Sequence, residues 1–269
     1  MIDLRLKISQ VFVLCSLIAV VISCKKETQE PEQVSPAAKI ASMDKAIKVT
    51  PISHGTLVLQ HGDMTIYVDP VGDKSAFEGL PAPNVILVTD IHGDHHSNET
   101  LEAVSNEATK IVVPIAVSEK LSDSLKSNQS ILSNFQSKGF TVGNTSIEVE
   151  GIPMYNLREE AKQFHTKDRG NGYVVTMDGY RIYISGDTED IPEMRQLKDI
   201  DMAFVCMNLP WTMPVNSAAS AVLEFKPKVV YPYHYRGTDG LSDVSKFKEL
   251  VLNGSDDITV RLENWYPNR

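Results

Sequence analysis

The chain has 269 residues, and 35 acidic against 26 basic side chains leave a formal charge of −9 at pH 7, which argues against a nucleic-acid partner because phosphate backbones are gripped mainly by clustered Lys and Arg. With 42% hydrophobic and 23% charged residues, wholesale disorder is excluded. The cysteines, at 15, 24 and 206, are too few and too scattered for a disulfide scaffold or a Cys-rich zinc module.

The first segment reads as an address. Arg5 and Lys7 precede a nearly unbroken apolar run over residues 11–22, VFVLCSLIAVVI. Twelve residues rise only about 18 Å as a helix, short of a bilayer core of roughly 30 Å, so a signal peptide over 1–23 is expected rather than a membrane span. The run ends Val21-Ile22-Ser23-Cys24, which resembles the lipobox of bacterial lipoproteins. That resemblance implies cleavage before Cys24, acylation of its thiol and new amine, and a lipid-anchored protein of the bacterial cell envelope, outside the cytoplasm. A plain secretory peptide with an incidental cysteine is the alternative. With Cys24 acylated, Cys206 alone stays unmodified, so no internal disulfide is expected even in an oxidising compartment. Residues 24–45, rich in Glu, Gln, Lys and Pro with no apolar period, read as a flexible tether.

The folded part, residues 46–269, opens strand-like. Residues 47–62 and 64–70 form a meander with a turn at His61-Gly62-Asp63. Residues 84–89 (NVILVT) are a nearly all-apolar run, as expected of a strand buried on both faces. A short helix over 98–104, a buried strand over 110–113 and a helix over 118–136 follow. Residues 140–149 and 172–184 are strand-rich, the latter a hairpin turned at Asp178-Gly179. Helices over 191–197, 217–225 and 241–252 then alternate with strands over 202–207, 228–233 and 258–262. A meander followed by helix–strand alternation, twice over, predicts one α/β domain with two sheets inside and helices outside. Such architectures place their chemistry at the C-terminal ends of buried strands.

Directly behind 84–89 stand Asp90-Ile91-His92-Gly93-Asp94-His95-His96, five of them able to bind a metal. Alternation sends Asp90 and His92 to one side, and Gly93 permits a tight turn bringing Asp94 and His95 to a neighbouring point. Imidazole and carboxylate without thiolate suit Zn, Mn or Fe. The competing reading is a polar loop with Asp94 capping the next helix. Three further residues follow strand ends or precede a hairpin: His165 in FHTKDRGNGYVV, Asp187 in SGDTED and His234 in KPKVVYPYH. Singly, each has an ordinary explanation as a surface, capping or core residue.

Together, Asp90 to His95 resemble the His-x-His-x-Asp-His signature of the metallo-β-lactamase superfamily, with Asp in the first slot, and the other landmarks follow in that family's order. Within the superfamily the motifs are most similar to the branch of L-ascorbate-6-phosphate lactonase. The resemblance implies a single-domain, four-layer αββα sandwich and two divalent ions, Zn or Mn/Fe. It implies a first site of Asp90, His92 and His165, a second of Asp94, His95 and His234, and Asp187 as the bridge between them. A bridging hydroxide, oriented by Asp94, would attack a small-molecule lactone or other ester. The phosphodiesterase alternative and that of a lipid-anchored binding protein without turnover stay open. Asp in the first slot hardens the first site and favours Mn or Fe more than three histidines would.

Lys167, Arg169 and Arg236 are candidates for an anionic substrate group, or solvated loop charges. Trp211 and Met213 either wall the site or pack beneath it. His54 either orients a ligand or shapes a turn, His96 and His61 read as peripheral, and Cys206 as a small packing residue.

Overall fold

The computed structural model describes residue 42 and residues 46–267. The expected signal peptide, Cys24 and the tether other than Ser42 lie outside the described residues. The first sheet contains β1 Lys48–Ser53, β2 Thr56–His61, β3 Met64–Val68, β4 Val85–Leu87, β5 Lys110–Val113 and β6 Gln129–Ile131, in that spatial order. Its first three strands pair antiparallel as a meander, and β3 to β6 pair parallel. The second sheet contains β7 Ser137–Val142, β8 Thr145–Met154, β9 Gly170–Met177, β10 Tyr180–Ile184, β11 Met202–Cys206, β12 Val229–Tyr233 and, after a separate ribbon of β13 Arg236–Gly237 and β14 Gly240–Leu241, β15 Thr259–Val260. Their order is β15-β12-β11-β10-β9-β8-β7, antiparallel from β7 to β10 and parallel from β10 to β15. Each sheet is therefore a meander continued by parallel strands.

Strand alternation explains the layers. Leu57 and Leu59 of β2, Ile66 and Val68 of β3, Val85 and Leu87 of β4 and Val112 of β5 join the core shared with the second sheet. Their neighbours Val58, Tyr67, Ile86, Ile111 and Val113 turn the other way, against Leu101, Val117, Leu121 and Leu125 from the helical side. On the far sheet, helix Val215–Phe225 supplies Ala218, Val222 and Phe225, and helix Val244–Gly254 supplies Phe247 and Val251, all buried. Phe204 of β11 stacks on Tyr231 of β12 at 5.0 Å and meets Trp265 edge-on at 6.4 Å, tying the C-terminal segment to the core. Helix, sheet, sheet and helix form the expected four-layer sandwich of one domain. Among the described residues no helix is long and apolar enough to cross a membrane.

Three elements differ from expectation. Residues 118–136 are not one helix: short helices Ile115–Ser118 and Asp123–Lys126 lead into β6, which pairs with β5. Leu125 is buried on the helical side and Leu132 in the inter-sheet core, so their helix-like spacing spans two faces of a sheet. Residues 140–149 belong to a β7–β8 hairpin turned at Gly143, whose φ of +55° favours glycine. Helix Val244–Gly254 starts three residues later than expected, capped by Asp243 accepting from the Lys246 N–H at 2.8 Å, while Leu241 pairs with Arg236 in a small ribbon.

Candidate metal centre

Asp69 follows β3, the Asp90–His95 loop follows β4, Asp187 follows β10 and His234 follows β12, so strand ends of both sheets converge. The capping alternative for Asp94 fails locally. Ser97 caps helix Asn98–Val104, its hydroxyl accepting from the Thr100 N–H at 3.2 Å, which leaves the preceding loop free to face inward.

His95, Asp187 and His234 are all buried and surround one point. His95 Nε2 lies 3.2 Å from His234 Nε2 and 3.4 Å from Asp187 Oδ2. His234 Nε2 lies 3.4 Å from Asp187 Oδ1 and 3.2 Å from Asp94 Oδ2. Nitrogen and oxygen ligands about 2.0–2.2 Å from a tetrahedral ion sit roughly 3.3–3.6 Å from one another. The cluster has very nearly those edges. Its tautomers also suit a cation: His95 Nδ1 donates to Asp69 Oδ2 at 2.8 Å, which turns the Nε2 lone pair toward Asp187. Asp187 Oδ1 and His165 Nε2 are buried with no hydrogen-bond partner, as expected of atoms built to hold an ion. Burial alone would raise the Asp187 carboxyl, but His234 and His95 outweigh it and hold it well below the usual range. The same contest, with Asp187 and Asp69 winning over burial, holds His95 well above an ordinary histidine.

His165 reaches the same carboxylate from the other side, its Nε2 3.3 Å from Asp187 Oδ2. Its ring is set by Nδ1 donating to the Trp211 carbonyl at 3.1 Å, and Asn156 braces that carbonyl at 2.6 Å. Buried Glu189 fixes the loop, accepting from the Leu157 and Arg158 N–H groups at 2.9 Å each and from Arg158 Nε at 2.6 Å. Asp90, His92 and His165 form the second grouping, with His92 Nδ1 3.0 Å and His165 Nε2 3.9 Å from Asp90 Oδ2. Burial would raise the Asp90 carboxyl, yet hydrogen bonds from His92 and Arg169 bring it down to about 2.

A cavity of about 270 Å³ opens over the clusters, lined by His92, Asp94, Phe164, His165, Asp187, Asn208 and Trp211. The seven expected ligands thus converge, and Trp211 walls the cavity while Met213 lies in the core. The basic candidates are each engaged by protein groups. Lys167 pairs with Glu193 at 3.1 Å and lies over the Tyr155 ring, Arg236 stacks on Tyr266 at 4.4 Å, and Arg169 binds Asp90. His54 stands nearer the centre than its turn suggested, grouped with Asp94 and His234 and edge-on to the His234 ring at 5.5 Å. Cys206 is a buried thiol that burial pushes up to about 12, and it packs rather than ligates. Asp69, Asn156 and Glu189 escape sequence reasoning. Only Asp69 carried a signal there, as a carboxylate directly after a buried strand.

The chain matches the family described as Beta-lactamase superfamily domain over residues 48–234. A UPF0173 metal-dependent hydrolase of Archaeoglobus fulgidus is 31% identical over 201 residues, 70% of this chain and 83% of that protein. One from Pyrococcus abyssi is 28% identical over 218 residues, 76% of this chain and 92% of its own length. Among solved structures, a Parabacteroides distasonis protein described as a metal-dependent hydrolase has 36% identity and a TM-score of 0.69, over 80% of this chain and 92% of its own.

Proposed function

Because the chain belongs to the β-lactamase superfamily and, within it, to the UPF0173 family of metal-dependent hydrolases, we propose that it hydrolyses small uncharged esters, lactones foremost. The observation that carries this reading is the lining of the cavity: three histidine-and-carboxylate groupings at its floor, Phe164 and Trp211 as apolar walls, and no Lys or Arg among the described lining residues. The nearby Arg169 guanidinium is engaged by Asp90 and the Phe164 carbonyl, so a phosphate-bearing substrate finds no free side-chain cation among the lining residues, whereas a neutral ring ester meets apolar walls and a few polar groups. The volume suits a small substrate.

His95, Asp94 and His234 would hold one ion of the Zn, Mn or Fe type and Asp90, His92 and His165 a second, with Asp187 shared. Ions bound there would supply a water whose pKa is lowered toward about 7 and polarisation of the scissile carbonyl. Asp94, whose side chain is 45% exposed, has an oxygen available to orient the attacking water. The Asn208 Oδ1 accepts from the Thr212 hydroxyl at 2.5 Å, which leaves its amide N–H groups to donate to the substrate oxygen. Trp211 both walls the cavity and, through its carbonyl, fixes the His165 tautomer.

Residues 1–23 are assigned as a lipoprotein signal peptide, and Cys24 as the acylated residue that anchors a domain over 46–269 at the envelope. The lipobox-like Val21-Ile22-Ser23-Cys24 and the tether composition support this. Purified protein supplied with Zn²⁺ or Mn²⁺ and given lactones, aryl esters and bis-aryl phosphodiesters tests the activity. Lactone or ester turnover at least tenfold above phosphodiester turnover is expected. The reverse preference would make it a phosphodiesterase, and metal binding without turnover a binding protein.

A further inference from the structure

Arg169 lies 79 residues from Asp90 in sequence and grips it with both arms of its guanidinium: Nε to Oδ1 at 3.0 Å and Nη2 to Oδ2 at 2.6 Å. The same Nη2 donates to the Phe164 carbonyl at 2.5 Å and stands 3.4 Å from His92 Nε2. This placement is built into the backbone. A Cβ at Gly170 would meet Met154 Cε at 2.3 Å and the Thr89 carbonyl at 2.8 Å, so glycine lets β9 press against the strand end that carries Asp90. The Asn171 N–H then donates to the Thr89 carbonyl at 2.9 Å, locking the neighbouring residue to that strand end.

Charge follows geometry. A divalent ion among His95, His234, Asp94 and Asp187 is balanced by those two carboxylates. Asp90 is already balanced by Arg169. A second ion among Asp90, His92 and His165 would add positive charge beside a guanidinium and share an oxygen that the guanidinium holds.

We propose that the two seats fill unequally, with one ion held tightly by His95, Asp187, His234 and Asp94, and with the Asp90–His92–His165 seat made weak and exchangeable by Arg169. The proposal rests on the metal-hydrolase reading but is tested by binding rather than turnover. Chelator-stripped protein is titrated with Mn²⁺ and with Co²⁺, following heat, bound metal after dialysis and the Co²⁺ absorption spectrum. Wild type should take one ion per chain, with a second binding at least 100-fold more weakly. His92→Ala should keep the first equivalent and His234→Ala lose it. Arg169→Met should tighten the second ion at least tenfold, and Arg169→Lys, which keeps the charge but not the two-armed grip, should tighten it by less than Arg169→Met does. Two ions bound within tenfold of each other by wild type, or an unchanged second affinity in folded Arg169→Met, would overturn the inequality and leave the hydrolase reading intact. Failure of wild type to bind any ion would sink both. Should Arg169→Met not fold, the wild-type ratio and the contrast between His92→Ala and His234→Ala still decide.

Discussion

Replacing Asp69 by Asn keeps the side chain's shape and removes its charge at a residue that would not touch the ion. Asp69 Oδ2 accepts from His95 Nδ1 at 2.8 Å and from the Thr89 hydroxyl at 2.6 Å, while Oδ1 accepts from the Thr89 N–H at 2.7 Å. With the Asn oxygen kept on the Thr89 N–H, its NH₂ faces His95 Nδ1, which must then accept. The imidazole proton moves to Nε2, the atom 3.4 Å from Asp187 and 3.2 Å from His234, and the lone pair that would bind an ion is lost. A hydrogen bond to a charged group contributes about 1.5–3 kcal/mol, which corresponds to roughly 10- to 150-fold weaker metal binding. That range matches the usual effect of removing a carboxylate behind a ligating histidine. Competition against a chromophoric chelator, with circular dichroism to verify folding, measures it. Folded Asp69→Asn binding within twofold of wild type would refute the assignment of His95's tautomer.

Further outcomes follow from the site's geometry and from the N-terminal sequence. His95 is held above its ordinary pKa by Asp187 and Asp69 against burial, so its proton must leave when an ion binds. Affinity should therefore fall about tenfold per pH unit below that raised value, and calorimetry in buffers of different ionisation heat should detect the released proton. By the same linkage, the His95 contribution to the metal-free fold is fully present just below its ordinary value of 6.5 and lost as pH rises through the raised value, visible as a falling Tm. Gly186 has φ +60°, and an added Cβ would lie 2.4 Å from Met154 Sδ, so Gly186→Ala should displace Asp187 and cut metal occupancy; occupancy equal to wild type would contradict this. Intact-mass measurement of the membrane fraction should show a lipid-sized increment on Cys24, absent in Cys24→Ala, and an unmodified mature chain would remove the anchor.

The ligand set was legible because its chemistry is concentrated: Asp90, His92, Asp94 and His95 crowd six positions behind an all-apolar strand, and His165, Asp187 and His234 each mark a strand end or a hairpin entry. What could not be read is what depends on pairing across sequence. Arg169 stood in a polar loop as a candidate for substrate, and only the register of β9 against the Thr89 backbone reveals that it faces Asp90. The Trp211 carbonyl that sets His165 is backbone and leaves no sequence trace. The fold was readable wherever one face of a strand is buried differently from the other. It failed at residues 118–136, where Leu121, Leu125 and Leu132 keep helical spacing while lying on opposite sides of the first sheet.

The central claim is that hydrolysis depends on an ion held by His95, Asp187 and His234. The most direct measurement is lactone hydrolysis by chelator-stripped protein as Mn²⁺ or Zn²⁺ is returned stepwise, with Asp187→Ala in parallel. Turnover should be lost on stripping, return with the tightly bound ion, and stay absent in Asp187→Ala at any metal concentration. Full turnover by the stripped protein, or its recovery in Asp187→Ala, would contradict the account.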